Sequence, residues 1–351
     1  MANYGYRLYT FQIANGDKRK AVNFKDCSGE HYVDVAQRLL KSLSQQTMIG
    51  DAPLNSTDVL GVVNDQSQGD VQRYVDEPAF RVEEVRVVDR TIRATVLSGK
   101  FGSHEKALSA AGAEQDADIR DKAASKRFRL VLALPDDGFT GILAVEDISR
   151  SQPVSAITRW LRWSSRGEAV ASSTPDKEAP WWRPIVHPLA DEARLIQMIS
   201  EGNANKLELV KLSITSARTR QQERFRVSAP VVDEGMAAQI AQIVKGWIRR
   251  TSVAETSGEV SDWTTDEEAA KQLAAVVGPE IANLDVDDGW VVLSDADEKT
   301  KKVSPTRMSE VFTYAQPRGD RSDTPTFYAL VKQTAQRLQA AANLTIDWPA
   351  Q

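Results

Sequence analysis

The chain has 351 residues, 41% hydrophobic and 26% charged, with 44 Lys and Arg against 49 Asp and Glu for a net charge of −5. That length exceeds one ordinary core, and that composition excludes wholesale disorder. The single cysteine, Cys27, excludes an internal disulfide and an all-cysteine zinc cage, and it fits a reducing, cytoplasmic location. The opening stretch, MANYGYRLYTFQI, has no basic segment followed by an apolar one and does not read as a signal peptide. Apolar runs stop at about five residues, where a membrane span needs roughly 20, so no membrane partner is expected.

Residues 6–13 alternate as a strand does, with Tyr9, Phe11 and Ile13 on one face and Tyr6 and Leu8 on the other. Over 30–45, Val33, Ala36, Leu40 and Leu43 recur at intervals of three and four and predict an amphipathic helix. The polar stretch 49–72 reads as a loop. Stretches 80–88 and 91–97 predict a hairpin turning at Asp89-Arg90. Segment 103–124, rich in Ala and Asp without an apolar stripe, reads as an exposed helical insertion. In the strand that follows, Phe128, Leu130, Leu132 and Leu134 alternate with Arg127, Arg129 and Ala133. Pro135-Asp136-Asp137-Gly138 is a turn, with Pro fixing φ and Gly supplying freedom, and 142–145 reads as a central strand. A helix begins near Ser151, with Pro153 in its first turn, where a missing N–H costs nothing. Its inward stripe is Val154, Ile157, Trp160 and Leu161.

The small, polar stretch 164–180 is read as a linker. Beyond it come a helix at 189–201, strands at 205–215 and 223–231, and a helix at 235–250 whose apolar side is Ile240, Ile243, Val244, Trp247 and Ile248. A helix at 265–277 opens with Thr265 and Glu268, the spacing of a capping box. A hairpin joins 290–293 to 301–303, and a last helix covers 325–342. The expected fold is α+β, antiparallel sheets with packed helices. Its expected domains are an N-terminal one at 1–163, the linker 164–180 and a C-terminal one at 181–351.

Charge is spread unevenly over the C-terminal half. Residues 205–250 hold nine Lys and Arg against four Asp and Glu, a net of +5, and residues 251–298 hold one Lys against thirteen Asp and Glu, a net of −12. Blocks of opposite sign attract polyanions or complementary protein surfaces, including a second copy of the chain. Within the basic block, Arg218, Arg220, Arg224 and Arg226 surround Phe225, and Lys245, Arg249 and Arg250 flank Trp247. Clustered cations bind phosphates, and aromatic faces stack bases. Arg159, Arg162 and Arg166 beside Trp160 and Trp163 repeat that mixture. The acidic residues of 255–268 are candidates for covering the basic block until nucleic acid displaces them.

A metal-dependent nuclease is the alternative reading, built on Asp136, Glu146 and Asp147, although the Lys such a core carries two residues on is replaced by Ile148. These carboxylates also fit plain turn and strand-end positions. His31, His104 and His187 have no zinc-binding spacing, and Cys27 with His31 reads as coincidence rather than a nucleophile pair. Neither GxxxxGK[ST] nor GxGxxG occurs, so no nucleotide cofactor is expected.

Segment 126–163, and within it GILAVEDISRSQPVSAITRW from Gly141 to Trp160, resembles uncharacterised bacterial proteins associated with phages, mobile elements and antiviral defence. The resemblance carries no catalytic motif. The sequence reading is therefore a cytoplasmic, non-enzymatic protein that binds nucleic acid through Arg218, Arg220, Arg224, Arg226, Lys245, Arg249 and Arg250, without cofactor or metal. The resemblance adds the expectation of a place in a phage-defence or mobile-element assembly. A structural protein pairing its charge blocks is the remaining alternative.

Overall fold

A computed structural model describes residues 3–18, 20–50, 76–102, 106–107, 117–119, 122–174, 178–189, 191–199, 204–214, 221–257, 266–284, 286–294, 300–305, 312–342 and 344–349. The chain opens with β1 (Tyr4–Asn15), α1 (Tyr32–Ser42), β2 (Met48–Ile49), β3 (Pro78–Val88) and β4 (Thr91–Phe101). It continues through β5 (Lys106–Ala107), β6 (Ala117–Asp118), β7 (Ala123–Ala133), β8 (Gly141–Ile148), α2 (Val154–Ser172) and β9 (Trp182–Pro188). Then come α3 (Glu192–Met198), β10 (Ala204–Ile214), β11 (Gln221–Pro230), α4 (Glu234–Ser257), α5 (Asp266–Val277) and α6 (Pro279–Ala282). The last elements are β12 (Asp288–Ser294), β13 (Thr300–Val303), β14 (Tyr314–Ala315) and α7 (Thr324–Ala341). The fold is α+β with antiparallel sheets. Among the described residues no helix is long and apolar enough to cross a membrane.

The chain divides into two compact units, one of Met1–His187 with Tyr314–Gln351 and one of Pro188–Thr313. The first is built on a sheet in the order β14-β1-β8-β7-β4-β3-β2, with β9 also pairing β1. Alternation sorts its side chains. Tyr9, Phe11 and Ile13, Phe128 to Leu134, and Leu143 and Val145 join one core with α1 and α2. Opposite, Tyr6 meets the Phe327 ring edge-on at 6.0 Å, and its hydroxyl donates to Leu330 O at 3.2 Å, so α7 packs on the second face. Both faces of β1 are consequently buried, and the polar Thr10 and Gln12 are buried with them. Where β4 and β7 run side by side, a Cβ on Gly99 would stand 2.0 Å from Ala124 O, so only glycine allows the two backbones to approach there.

His31 caps α1. Its Nδ1 accepts from Val33 N–H at 3.1 Å, and Nε2–H donates to Pro135 O at 3.0 Å, which fixes the neutral tautomer. It is a buried cap rather than a surface residue. Cys27 is also buried, and burial pushes its thiol up to about 12, far from nucleophile territory.

Three sequence expectations need correction. The stretch from 164 to 172 is not linker but the second half of α2, because Ser164, Ser165 and Ala169 extend the buried stripe begun by Ile157, Trp160 and Leu161. The division between units falls at Pro188 instead, and the last helix returns to the first unit, drawn by the buried stripe Phe327, Val331, Ala335 and Leu338. In 103–124 the described residues form the two-stranded β5–β6 ladder and the start of β7, not a helix. The polar stretch expected as a loop lies from residue 51 onward outside the described residues.

The second unit holds a sheet in the order β11-β10-β12-β13, all pairs antiparallel. One face carries Leu209 and packs against α5; a Cβ on Gly289 would sit 2.9 Å from Leu209 Cδ2 and 3.0 Å from Ala270 Cα. α4 packs on α5 with Ile240, Val244 and Trp247 buried, and Trp247 Nε1 donates to Gln272 at 2.7 Å.

Candidate nucleic-acid interface

Register decides which side chains of the second unit's sheet share a face. Glu208 lies opposite both Ser228 and Trp290, Val210 opposite Arg226, and Val292 opposite both Lys206 and Lys302. All project away from the face that carries Leu209 and α5, because alternate residues of a strand point to opposite sides. Val210, Trp290 and Val292 form a small apolar cluster on this second face. Over it, Glu208 collects three cations from three strands: Lys206 at 2.6 Å, Arg226 at 3.4 Å and Lys302 at 3.6 Å. Trp290 Nε1 donates to the same carboxylate at 2.8 Å. The Arg226 guanidinium and the Lys302 ammonium lie 5.7 Å and 4.0 Å from the Trp290 ring centre, within cation–π range.

Burial by itself raises the Glu208 carboxyl, but the hydrogen bonds from Lys206 and Trp290 and the charge of Lys302 outweigh it and hold the group below the usual carboxylate range. Glu208 is therefore ionised at neutral pH and is shared by Lys206, Arg226 and Lys302. The carboxylate is only 6% exposed, whereas the side chains of Lys206, Arg226 and Lys302 are 40–43% exposed. The anion and the Trp290 indole are both buried, and the cations reach solvent. Such a surface can bind a phosphate by charge, through the solvent-facing ends of the cations.

Of the sequence-predicted binding residues, Arg226 belongs to this cluster. Arg224 is exposed on β11 where the ladder slips: Lys211 pairs with Phe225 and Leu212 with Glu223, which leaves Arg224 in the bulge beside Phe225 rather than in this cluster. Lys245 is elsewhere, bound to Glu192 of α3 at 3.1 Å on the helical side of the unit. Arg249 and Arg250 fall in the last turns of α4, with side chains outside the described residues, and Arg218 and Arg220 lie outside them altogether. Lys206, Lys302, Glu208 and Trp290 were not anticipated. Their only signal was period-two alternation, which shows that Lys206 and Glu208 share a side without showing what lies across the ladder.

The carboxylates of the nuclease alternative do not converge. Glu146 and Asp147 are consecutive on β8 and face opposite sides of the sheet. Glu146 is fully buried and saturated: Arg129 donates from its backbone N, Nε and Nη2, and Arg321 donates from Nε at 3.1 Å and Nη2 at 2.8 Å. Asp147 pairs with Arg7 at 3.0 Å and accepts from Arg150 N–H at 2.8 Å, holding the turn where Ser149 and Arg150 take positive φ. Asp136 is an exposed turn residue paired with Arg90 at 2.6 Å. Among the described residues no group of three or more His, Cys, Asp or Glu side chains is arranged to hold a metal ion.

No family model, curated protein or solved structure matches the chain. The functional reading rests on the chain's own residues.

Proposed function

We propose that this protein acts by binding nucleic acid, and that the Trp290 face of the second unit's sheet is the contact, with Lys206, Arg226 and Lys302 taking phosphates. One observation carries the reading: three cations from three strands share a single buried carboxylate above an indole. Cations from three strands that reach solvent on one face suit a ligand that carries negative charge. The resemblance of 126–163 to phage- and defence-associated proteins suggests the setting, an antiviral or mobile-element assembly in the cytoplasm.

The test is a fluorescence-polarisation titration of single- and double-stranded DNA and RNA with EDTA present, comparing wild type with K206A/R226A/K302A. Loss of at least tenfold in affinity supports the assignment, about 1.4 kcal/mol by the usual conversion. Equal affinity removes this face from the binding surface. A protein that binds no oligonucleotide but changes size with salt would instead be an assembly protein using its charge blocks.

A further inference from the structure

A second basic and aromatic surface lies in the first unit, on residues that the sheet face of the second unit does not involve. On α2, Arg159, Arg162 and Arg166 follow at intervals of three and four and so line one stripe, an arrangement a helix disfavours because like charges at that spacing repel. Arg162 and Arg166 stand 5.4 Å and 5.8 Å from the ring centre of Trp181, a half-buried residue just before β9. The turn after β1 closes around the same indole. Gly16 N–H donates to Trp181 O at 2.8 Å, and a Cβ at Gly16, whose φ is +61°, would stand 3.4 Å from the Trp181 ring nitrogen. Arg183 donates to Gly16 O at 3.2 Å and Lys18 O at 2.9 Å and so holds this turn, on which Lys18 and, two residues on, Lys20 are exposed.

Arg162 Nη2 reaches Asp17 Oδ1 at 3.3 Å, but that carboxylate is 82% exposed, so water screens the pair. Arg162 Nε is buried without a hydrogen-bond acceptor, although a buried guanidinium N–H ordinarily has one. Two helix arginines thus lie over one indole, next to a turn that Arg183 braces, and one of their guanidinium nitrogens has no acceptor.

We infer that this Trp181 surface is a second nucleic-acid contact, taking the phosphates of a single strand on Arg162, Arg166, Arg183 and Lys18, with bases stacking on the guanidinium and indole planes. Single strands fit because they offer unpaired bases along with phosphates, and the patch combines cations with an aromatic plane. An acidic protein segment would use the charge but not the planes. The inference rests on reading the chain as a nucleic-acid binder, and it assigns a separate surface to that role.

The experiment titrates the full chain with a labelled single-stranded 20-mer over a range of salt. It compares wild type, R162A/R166A, K18E/K20E and K206A/R226A/K302A. K18E/K20E alters exposed residues only and keeps the test valid should R162A/R166A fold poorly. Both first-unit variants are expected to bind at least fivefold more weakly. Loss of two phosphate contacts in R162A/R166A should flatten the slope of log K against log salt by about 1.4, at roughly 0.7 per contact for single strands. Wild-type affinity and slope in K18E/K20E would overturn the inference. So would displacement of the strand by poly-glutamate as readily as by unlabelled strand. Loss in the first-unit variants with wild-type binding by K206A/R226A/K302A would retire the Trp290 face and leave the Trp181 surface standing.

Discussion

Replacing Glu146 by alanine should cost far more than an exposed carboxylate would. Glu146 is fully buried, and the Arg129 side chain that it neutralises is 5% exposed. Without the carboxylate, Arg129 keeps its bonds to Ser322 O at 2.7 Å and Asp323 O at 2.9 Å and its place 4.2 Å from the Phe327 ring centre, but it has no countercharge. Arg321, which is 33% exposed, can turn to water. Breaking a buried pair on one side costs about 3–5 kcal/mol, and the carbonyls that Arg129 retains place this variant near the lower end, at about 3 kcal/mol. Removing both charges and filling the space, as in R129M/E146L, should recover most of that loss, because neither ion then needs solvation. Urea denaturation followed by circular dichroism measures both variants. Burial pushes the Glu146 carboxyl up, but the bonds from Arg129 and Arg321 outweigh burial and hold it low in the fold. The pair's contribution is therefore complete above the ordinary glutamate value, about 4.3, and disappears as pH falls through the lower folded value. E146A within about 1 kcal/mol of wild type, or a double variant no better than the single, would refute the reasoning.

Other consequences follow from named contacts. Burial is the main cause that lowers His31, only partly offset by its bond to Pro135, and burial lowers His187 as well. Unfolded chains then take up protons before the fold does, so stability falls as pH drops below about 6.5. In His31→Asn, which keeps a capping side chain but does not titrate, the decline in Tm between pH 7.5 and 5 should shrink, and an identical decline would show that His31 is uninvolved. Gly99→Ala forces the β4 and β7 backbones apart and should destabilise by about 1–3 kcal/mol in the same denaturation assay. If the acidic residues of 255–268 shield a basic surface, neutralising them to Gln and Asn raises oligonucleotide affinity; unchanged binding would show that they do not.

The sequence carried its strands better than its connections. The alternation of Phe128 to Leu134, the apolar run at 142–145 and the turn at Asp89-Arg90 lie where expected, because each is set by local period or turn chemistry. The stripe Val154, Ile157, Trp160 and Leu161 is buried as read. The second half of α2 escaped because Ser164 and Ser165 look like linker residues, yet both are buried, and Ser165 Oγ accepts from Trp182 N–H at 2.7 Å. The return of α7 to the first unit depends on a contact between Tyr6 and Phe327, distant in sequence and invisible to any local pattern. The Trp290 cluster was half visible. Arg226 stood out as one of a run of arginines, whereas Lys206, Glu208 and Lys302 became neighbours only through the register of β10, β11, β12 and β13. Glu146 shows the converse: a carboxylate at a strand end suggested chemistry, and the structure gives it to two arginines instead.

The most direct test of a phosphate-binding role for the Trp290 face is the salt dependence of binding to a labelled single strand, measured with EDTA throughout. Three phosphate contacts by Lys206, Arg226 and Lys302 predict that log K falls with log salt at a slope of about −2 or steeper, at roughly 0.7 per contact. The slope should flatten by about 2 in K206A/R226A/K302A. A slope near zero, or one that the triple variant leaves unchanged, would contradict it.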